Sequence, residues 1–235
     1  MAMRDWVRLP SRWIEDGGLQ DLQWTASKPS GADYTAALMV LAPLAHEADE
    51  DGLTKCTYDR LALATGLSRA KVSIGLSVLA EVGIIEREPA GRSTFQFANY
   101  HLAGGWSKLP AQGLYNGGRI TAFEHFHLRS MCELHALKLY YLFVRRRSNS
   151  SNMAHLSYDK IEEYAGIERT RIKKGISFLA SAGLVHVEHL KSRLYEGRHA
   201  NAYRLTNLDA YNHFGTRGRV TTLWRPKLPS DSRPG

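Results

Sequence analysis

At 235 residues and 43% hydrophobic content, the chain is long enough for two packed units of about 100 residues each and a short remainder. Its formal net charge of +8 points to polyanionic partners, and no apolar run approaches the ~18–20 residues that span a bilayer, so a membrane partner is not expected. The opening MAMRDWVRLP lacks the hydrophobic stretch of a secretory signal. With only Cys56 and Cys132, reduced thiols in the cytoplasm are expected rather than a disulfide framework.

The charge is divided along the chain. Residues 1–100 carry ten Lys+Arg against thirteen Asp+Glu, a net of −3, and residues 101–235 carry the other 21 against 10, a net of +11. Polyanion binding therefore belongs to the second part.

In chain order, Trp6, Leu9, Trp13, Ile14 and Trp24 surround a Gly17-Gly18 break. A short strand or arm at 5–9 and a helix near 10–16 are predicted, with the tryptophans packed on the helical unit next in the chain. Ala32–Ala48 reads as a helix burying Leu38, Leu41, Leu44 and Ala45, and it ends in an acidic loop (HEADED) that would repel phosphate. Thr57–Glu88 then reads as helix, tight turn at Gly66, second helix over Ser68–Val82, and strand. Val72, Leu76 and Leu79 form its buried stripe, while Arg69, Lys71, Ser73, Ile74 and Ser77 face outward. Strands Ile84–Glu88 and Ser93–Phe97 flank a Pro89–Arg92 turn, with Arg92 at its tip. Asn99–Gly105 links the first half of the chain to the second, Gly104-Gly105 being the expected hinge.

Adding 100 to each number brings the same pattern back. Trp6-x-x-Leu9-Pro10 returns as Trp106-x-x-Leu109-Pro110, and Gly17-Gly18 as Gly117-Gly118. Tyr58, Asp59, Gly66, Arg69, Gly75, Leu79, Gly83 and Glu88 recur as Tyr158, Asp159, Gly166, Arg169, Gly175, Leu179, Gly183 and Glu188 without a gap. The chain is a duplicated module. In the second copy a helix is predicted over Glu124–Arg147, closed by Arg145-Arg146-Arg147, where cations complement the helix dipole and can touch phosphate. Ser157 is placed to cap the next helix. The helix after Gly166 buries Ile172, Ile176 and Leu179 and presents Arg169, Thr170, Arg171, Lys173 and Lys174. Lys173 and Lys174 stand where the first copy has Ser73 and Ile74. The closing hairpin, Leu184–His189 with Ala202–Leu205, has a loop carrying Lys191, Arg193 and Arg198. Residues 209–235 interleave basic and aromatic residues as a tail.

Helix–turn–helix with a two-stranded ribbon after it resembles the winged-helix DNA-binding fold, and GLSRAKVSIGLSVLAEVGIIERE carries the likeness most closely. The fold expected is mainly α with small β-hairpins, two tandem winged helix-turn-helix domains: 1–100 with an N-terminal arm, 101–208 basic, and the 209–235 tail. Such a fold implies sequence-specific binding of double-stranded DNA. Arg169, Thr170, Arg171, Lys173 and Lys174 would lie in the major groove, Arg171 and Lys174 reading guanine. Arg145, Arg146, Arg147, Lys191, Arg193 and Arg198 would contact phosphate. Arg69, Lys71, Ser73 and Arg92 are the weaker equivalents in the first unit, which would take a second half-site, form a homodimer or hold a protein partner. A basic second winged helix behind a neutral-to-acidic first one resembles the plasmid replication initiators of tandem winged-helix type. A transcriptional regulator and a winged-helix scaffold in chromosome partitioning share the architecture.

Other chemistries are not supported. His125, His127, Cys132 and His135 lack paired CxxC spacing, so no metal is expected. Asp59 and Asp159 sit at helix starts, where capping or a bond to Arg69 and Arg169 explains them. No nucleophile–base–orienter arrangement is legible, and neither an enzyme nor a cofactor is expected.

Overall fold

The computed structural model describes residues 4–191 and 199–208. The first half opens with strand β1 (Trp6–Pro10) and one helical turn, α1 (Arg12–Glu15). Helix α2 (Gly31–His46) begins at a reciprocal cap: Ser30 Oγ accepts from the Asp33 N–H, and the Asp33 carboxylate accepts from the Ser30 N–H. Next come strand β2 (Leu53–Lys55), helices α3 (Tyr58–Thr65) and α4 (Arg69–Glu81), and strands β3 (Ile85–Arg87) and β4 (Thr94–Phe97). The second half repeats that order. Strand β5 (Trp106–Pro110) leads to a small hairpin of β6 (Tyr115–Asn116) and β7 (Arg119–Ile120), then α5 (Met131–Arg146), β8 (Met153–His155), α6 (Tyr158–Ala165), α7 (Arg169–Ser181), β9 (Val185–Lys191) and β10 (His199–Leu205). The fold is thus mixed α/β, with seven α-helices among the described residues and small antiparallel sheets.

The helix pairs form as their local chemistry requires. Thr57 Oγ1 and Ser157 Oγ each accept the backbone N–H three residues on. Gly66 and Gly166 end the first helix of each pair at φ 73° and 59°, a left-handed turn that glycine adopts without a Cβ clash. The sheets hold one strand more than expected. Their orders, β2-β4-β3 and β8-β10-β9, match between the halves. The extra strands are three residues long, too short to show alternation.

One predicted element is shorter than its apolar pattern. The helix expected from Glu124 begins at Met131, because Leu128 turns to φ 61° and Ser130 caps the start. The Glu133 carboxylate reaches back to accept the N–H groups of His127 and Leu128 at 2.7 and 2.6 Å, holding that loop outside the helix. The expected hinge is also tied down. The Gly105 carbonyl accepts the N–H groups of Ser11 and Arg12, and the Gly104 carbonyl accepts from Arg145.

The halves embrace through their openings. β1 pairs antiparallel with β5 in a self-complementary register: Trp6 faces Pro110, Pro10 faces Trp106, and Arg8 faces its own counterpart Lys108. Trp6 therefore stacks on Trp106, at 6.2 Å between ring centroids. Arg8 lies over the Trp106 ring and Lys108 over the Trp6 ring. α2 packs on α5, where the Tyr141 hydroxyl donates to the Leu38 carbonyl at 2.7 Å. Buried residues from both halves form one contiguous core. Among the described residues no helix is long and apolar enough to cross a membrane.

Candidate nucleic-acid interface

Helix α7 is held by one face and leaves the other in solvent. Ile172, Gly175, Ile176 and Leu179 are buried toward α5, and Arg169, Thr170, Arg171, Lys173 and Lys174 are all exposed. The spacing of the apolar residues puts them on one stripe and the cations opposite. Arg169 is ion-paired with Asp159 and lies over the Tyr158 ring. Arg171 pairs with Glu168 at 3.0 Å, both side chains being roughly half exposed, and its guanidinium also rests on the Met131 sulfur. Lys173 and Lys174 make no ion pair among the described residues.

The equivalent face of α4 is neutralised. Arg69 is bound to Asp59 at 2.8 Å, and Lys71 to the mostly buried Asp33 at 3.1 Å. Ser73 is half-buried, Ile74 is 38% exposed, and Ser77 accepts a bond from Arg87. The contrast has a local cause. Asp33 and Glu133 are counterparts, but Asp33 faces Lys71 whereas Glu133 is turned onto the loop before α5. Arg171, the counterpart of Lys71, is thereby left to a solvent-exposed partner. Arg92 is exposed at the tip of the β3–β4 hairpin.

The three arginines at the end of α5 do not share the phosphate-facing placement expected of them. Arg145 is only 12% exposed: it pairs with Glu15 at 2.6 Å and donates to the carbonyls of Gly104 and Trp106. Its guanidinium bonds and draws the Glu15 carboxyl below its ordinary range, with Arg146 and Arg12 adding to the effect. Arg147 is buried. Arg146 is partly exposed, shared between Glu15 at 3.4 Å and the ring of Tyr164. Arg145 and Arg147 are interior residues, and Arg145 joins α1 and the link between the halves to α5. Lys191 ends β9, while Arg193, Arg198 and the tail at 209–235 lie outside the described residues.

Arg129, exposed in the loop entering α5, escapes a reading from sequence that encloses it in the helix. Ser130-x-x-Glu133 is the signal that marks the true start. The residues beneath Arg171 and Lys174, namely Met131, Cys132 and His135, escape it as well. Compared with known proteins, the chain matches no family model and no curated protein.

Proposed function

We propose that the chain is a sequence-specific double-stranded DNA-binding protein built as two tandem winged helices, with α7 as the recognition helix. The observation that carries this reading is the face of α7, where Lys173 and Lys174 stand without counter-ions among the described residues while the same positions in α4 hold Ser73 and Ile74. A helix about 10–12 Å across with an apolar back and a cationic front fits the major groove. Arg171 and Lys174 are the guanine readers in this reading, each bidentate contact being worth about 1–3 kcal/mol of discrimination. Arg171 would exchange Glu168 for a base edge at little cost, since an exposed ion pair contributes about 0–1 kcal/mol. The 21 Lys+Arg beyond residue 100 supply a long-range field toward phosphate.

The biological role that the resemblance to tandem winged-helix plasmid replication initiators implies is initiation of plasmid or mobile-element replication, the basic second unit anchoring to origin repeats. The first unit, with Arg69 and Lys71 neutralised and Ile74 exposed, suits a protein partner or a second copy better than a base pair.

The test uses a duplex enriched from a random pool by the wild-type chain. Lys173→Glu with Lys174→Glu changes two exposed side chains, so the fold is retained, and retardation of that duplex is expected to disappear. Binding that survives the double substitution would remove α7 from this role. An initiator supports replication of a plasmid carrying directly repeated sites, whereas a transcriptional regulator shifts a promoter's output and leaves copy number alone.

A further inference from the structure

Between the first turns of α5 and the N-terminal half of α7 lies a cavity of about 250 Å³, lined by Met131, Cys132, His135, Arg171 and Lys174. His135 is only 8% exposed, yet its ring nitrogens have no hydrogen-bond partner among the described residues. Those nitrogens are not closed off from solvent, and the ring borders a space in which a partner can sit. Burial pushes the imidazole down to about 4, with the charges of Lys138 and Arg171 acting the same way. At neutral pH it is thus an uncharged ring offering one donor and one acceptor beside two cations.

The other walls are chemically distinct. The Met131 thioether and the Cys132 thiol provide a soft, polarisable surface of the kind that favours contact with an aromatic ring. Arg171 and Lys174 bring a guanidinium and an ammonium to the mouth, and a guanidinium matches a carboxylate bidentately. The Arg171 guanidinium already touches the Met131 sulfur, so it stands at the rim, and its exposed pair with Glu168 is readily exchanged. An apolar lining with a few convergent polar groups is the composition of a small-ligand site. The volume lies below the roughly 300–1,000 Å³ range typical of drug-sized ligands, which limits the occupant to about one ring. A metal ion is a poorer fit: Cys132 and His135 offer two donors, no described cluster of three or more exists, and zinc takes at least three protein ligands.

We infer that this cavity binds a small aryl carboxylate, its ring against Met131 and Cys132 and its carboxylate between Arg171 and Lys174, with His135 as the interior hydrogen-bond partner. The inference concerns the cavity alone and holds or fails apart from the DNA reading.

Cys132 is partly exposed and Cys56 is buried, so alkylation of Cys132 by N-ethylmaleimide at about pH 8 reports on the cavity in the full-length chain. Benzoate is the probe, and inorganic phosphate at equal ionic strength is the comparison. Benzoate is expected to slow Cys132 alkylation saturably, by about tenfold when bound, while phosphate leaves the rate within about twofold. Arg171→Gln and Lys174→Gln, both at exposed positions, are each expected to raise the half-protecting benzoate concentration at least about fivefold. Absent or unsaturable protection by benzoate overturns the inference. So does equal protection by phosphate, because the cations alone would then account for binding.

Discussion

His46 shows how a fold fixes the position of a proton. Nε2 lies 2.8 Å from the Pro110 carbonyl, which can only accept, so Nε2 carries the hydrogen and Nδ1 accepts from the Tyr115 hydroxyl at 2.7 Å. The neutral ring satisfies both bonds; a protonated one would force that hydroxyl to turn away. Burial pushes the pKa from 6.5 to about 4, against a smaller opposing contribution from the Pro110 bond. Between those values the unfolded chain binds a proton that the folded one refuses, so stability falls as pH drops from 6.5 toward 4 and is flat above. The gap is worth about 3 kcal/mol. The thermal midpoint is expected to hold steady from about pH 8 to 7 and to decline on acidification, with a shallower decline in His46→Gln. Some decline remains in that variant, because His135 is lowered over the same range. Lys138 is the opposite case, an ammonium buried at the place where the first half has Leu38. It donates to the Leu22 carbonyl at 2.9 Å, and burial lowers it to about 8. Lys138→Met removes a buried charge but strands that carbonyl, so urea unfolding is expected to place it within about 1 kcal/mol of wild type. Neither the buried Lys138 nor the interior role of Arg145 is legible from local sequence. A cation at a helix end suits the dipole and a phosphate equally well, and Glu15, which decides the matter, lies 130 residues from Arg145.

At the scale of elements, the recurring glycines of α4 and α7 have different neighbours. A Cβ at Gly75 would lie 3.0 Å from the Ala36 carbonyl oxygen and 3.1 Å from the Ala37 nitrogen, both backbone atoms of α2. At Gly175 the nearest atom would be Leu139 Cδ1 at 2.7 Å, the free end of a side chain. Alanine favours a helix over glycine by about 1 kcal/mol, which offsets a movable leucine but not a backbone clash. Gly75→Ala is expected to destabilise by about 1–3 kcal/mol, the range for an overpacked interior, and Gly175→Ala to stay within about 1 kcal/mol of wild type in urea unfolding. The reverse ranking would show that α7 sits closer to α5 than α4 does to α2. In the sequence these glycines are visible as matches in the 100-residue offset, which says that a position is shared and not what it touches. Most of the helices were legible because their apolar stripes and caps agree. α5 was overextended because Leu128, which lies in the loop before it, continues its apolar pattern. The outward face of α7 was readable residue by residue, since each exposed cation stands opposite a buried aliphatic. The cavity beneath it was not, because it joins Met131, Cys132 and His135 to a helix some 40 residues later.

At the scale of the molecule, the two copies are related as the subunits of a symmetric dimer would be. Contacts between an opening and the opposite half run in both directions: Tyr115 meets His46, and Glu15 meets Arg146. Gln20 donates to the Glu163 carbonyl beside the α6–α7 turn, and the Arg119 guanidinium lies over Gly66 in the α3–α4 turn. In an isologous interface residue i meets j and j meets i, and that relation holds here between repeats of one chain. The offset was plain in the sequence, but a repeat says only that two openings are alike. Whether each opening covers its own helices or those of the other copy depends on the three-dimensional closure. Because each helix pair is partly covered by the other half's opening, the halves are expected to lose structure together. Leu9 and Leu109 are counterparts, both fully buried, on β1 and β5. Leu9→Ala is expected to cost about 2–5 kcal/mol and to speed amide exchange in α4 and α7 alike, as is Leu109→Ala. Exchange accelerated only in the half that carries the substitution would mean that the openings decorate two independently stable units rather than lock them into one.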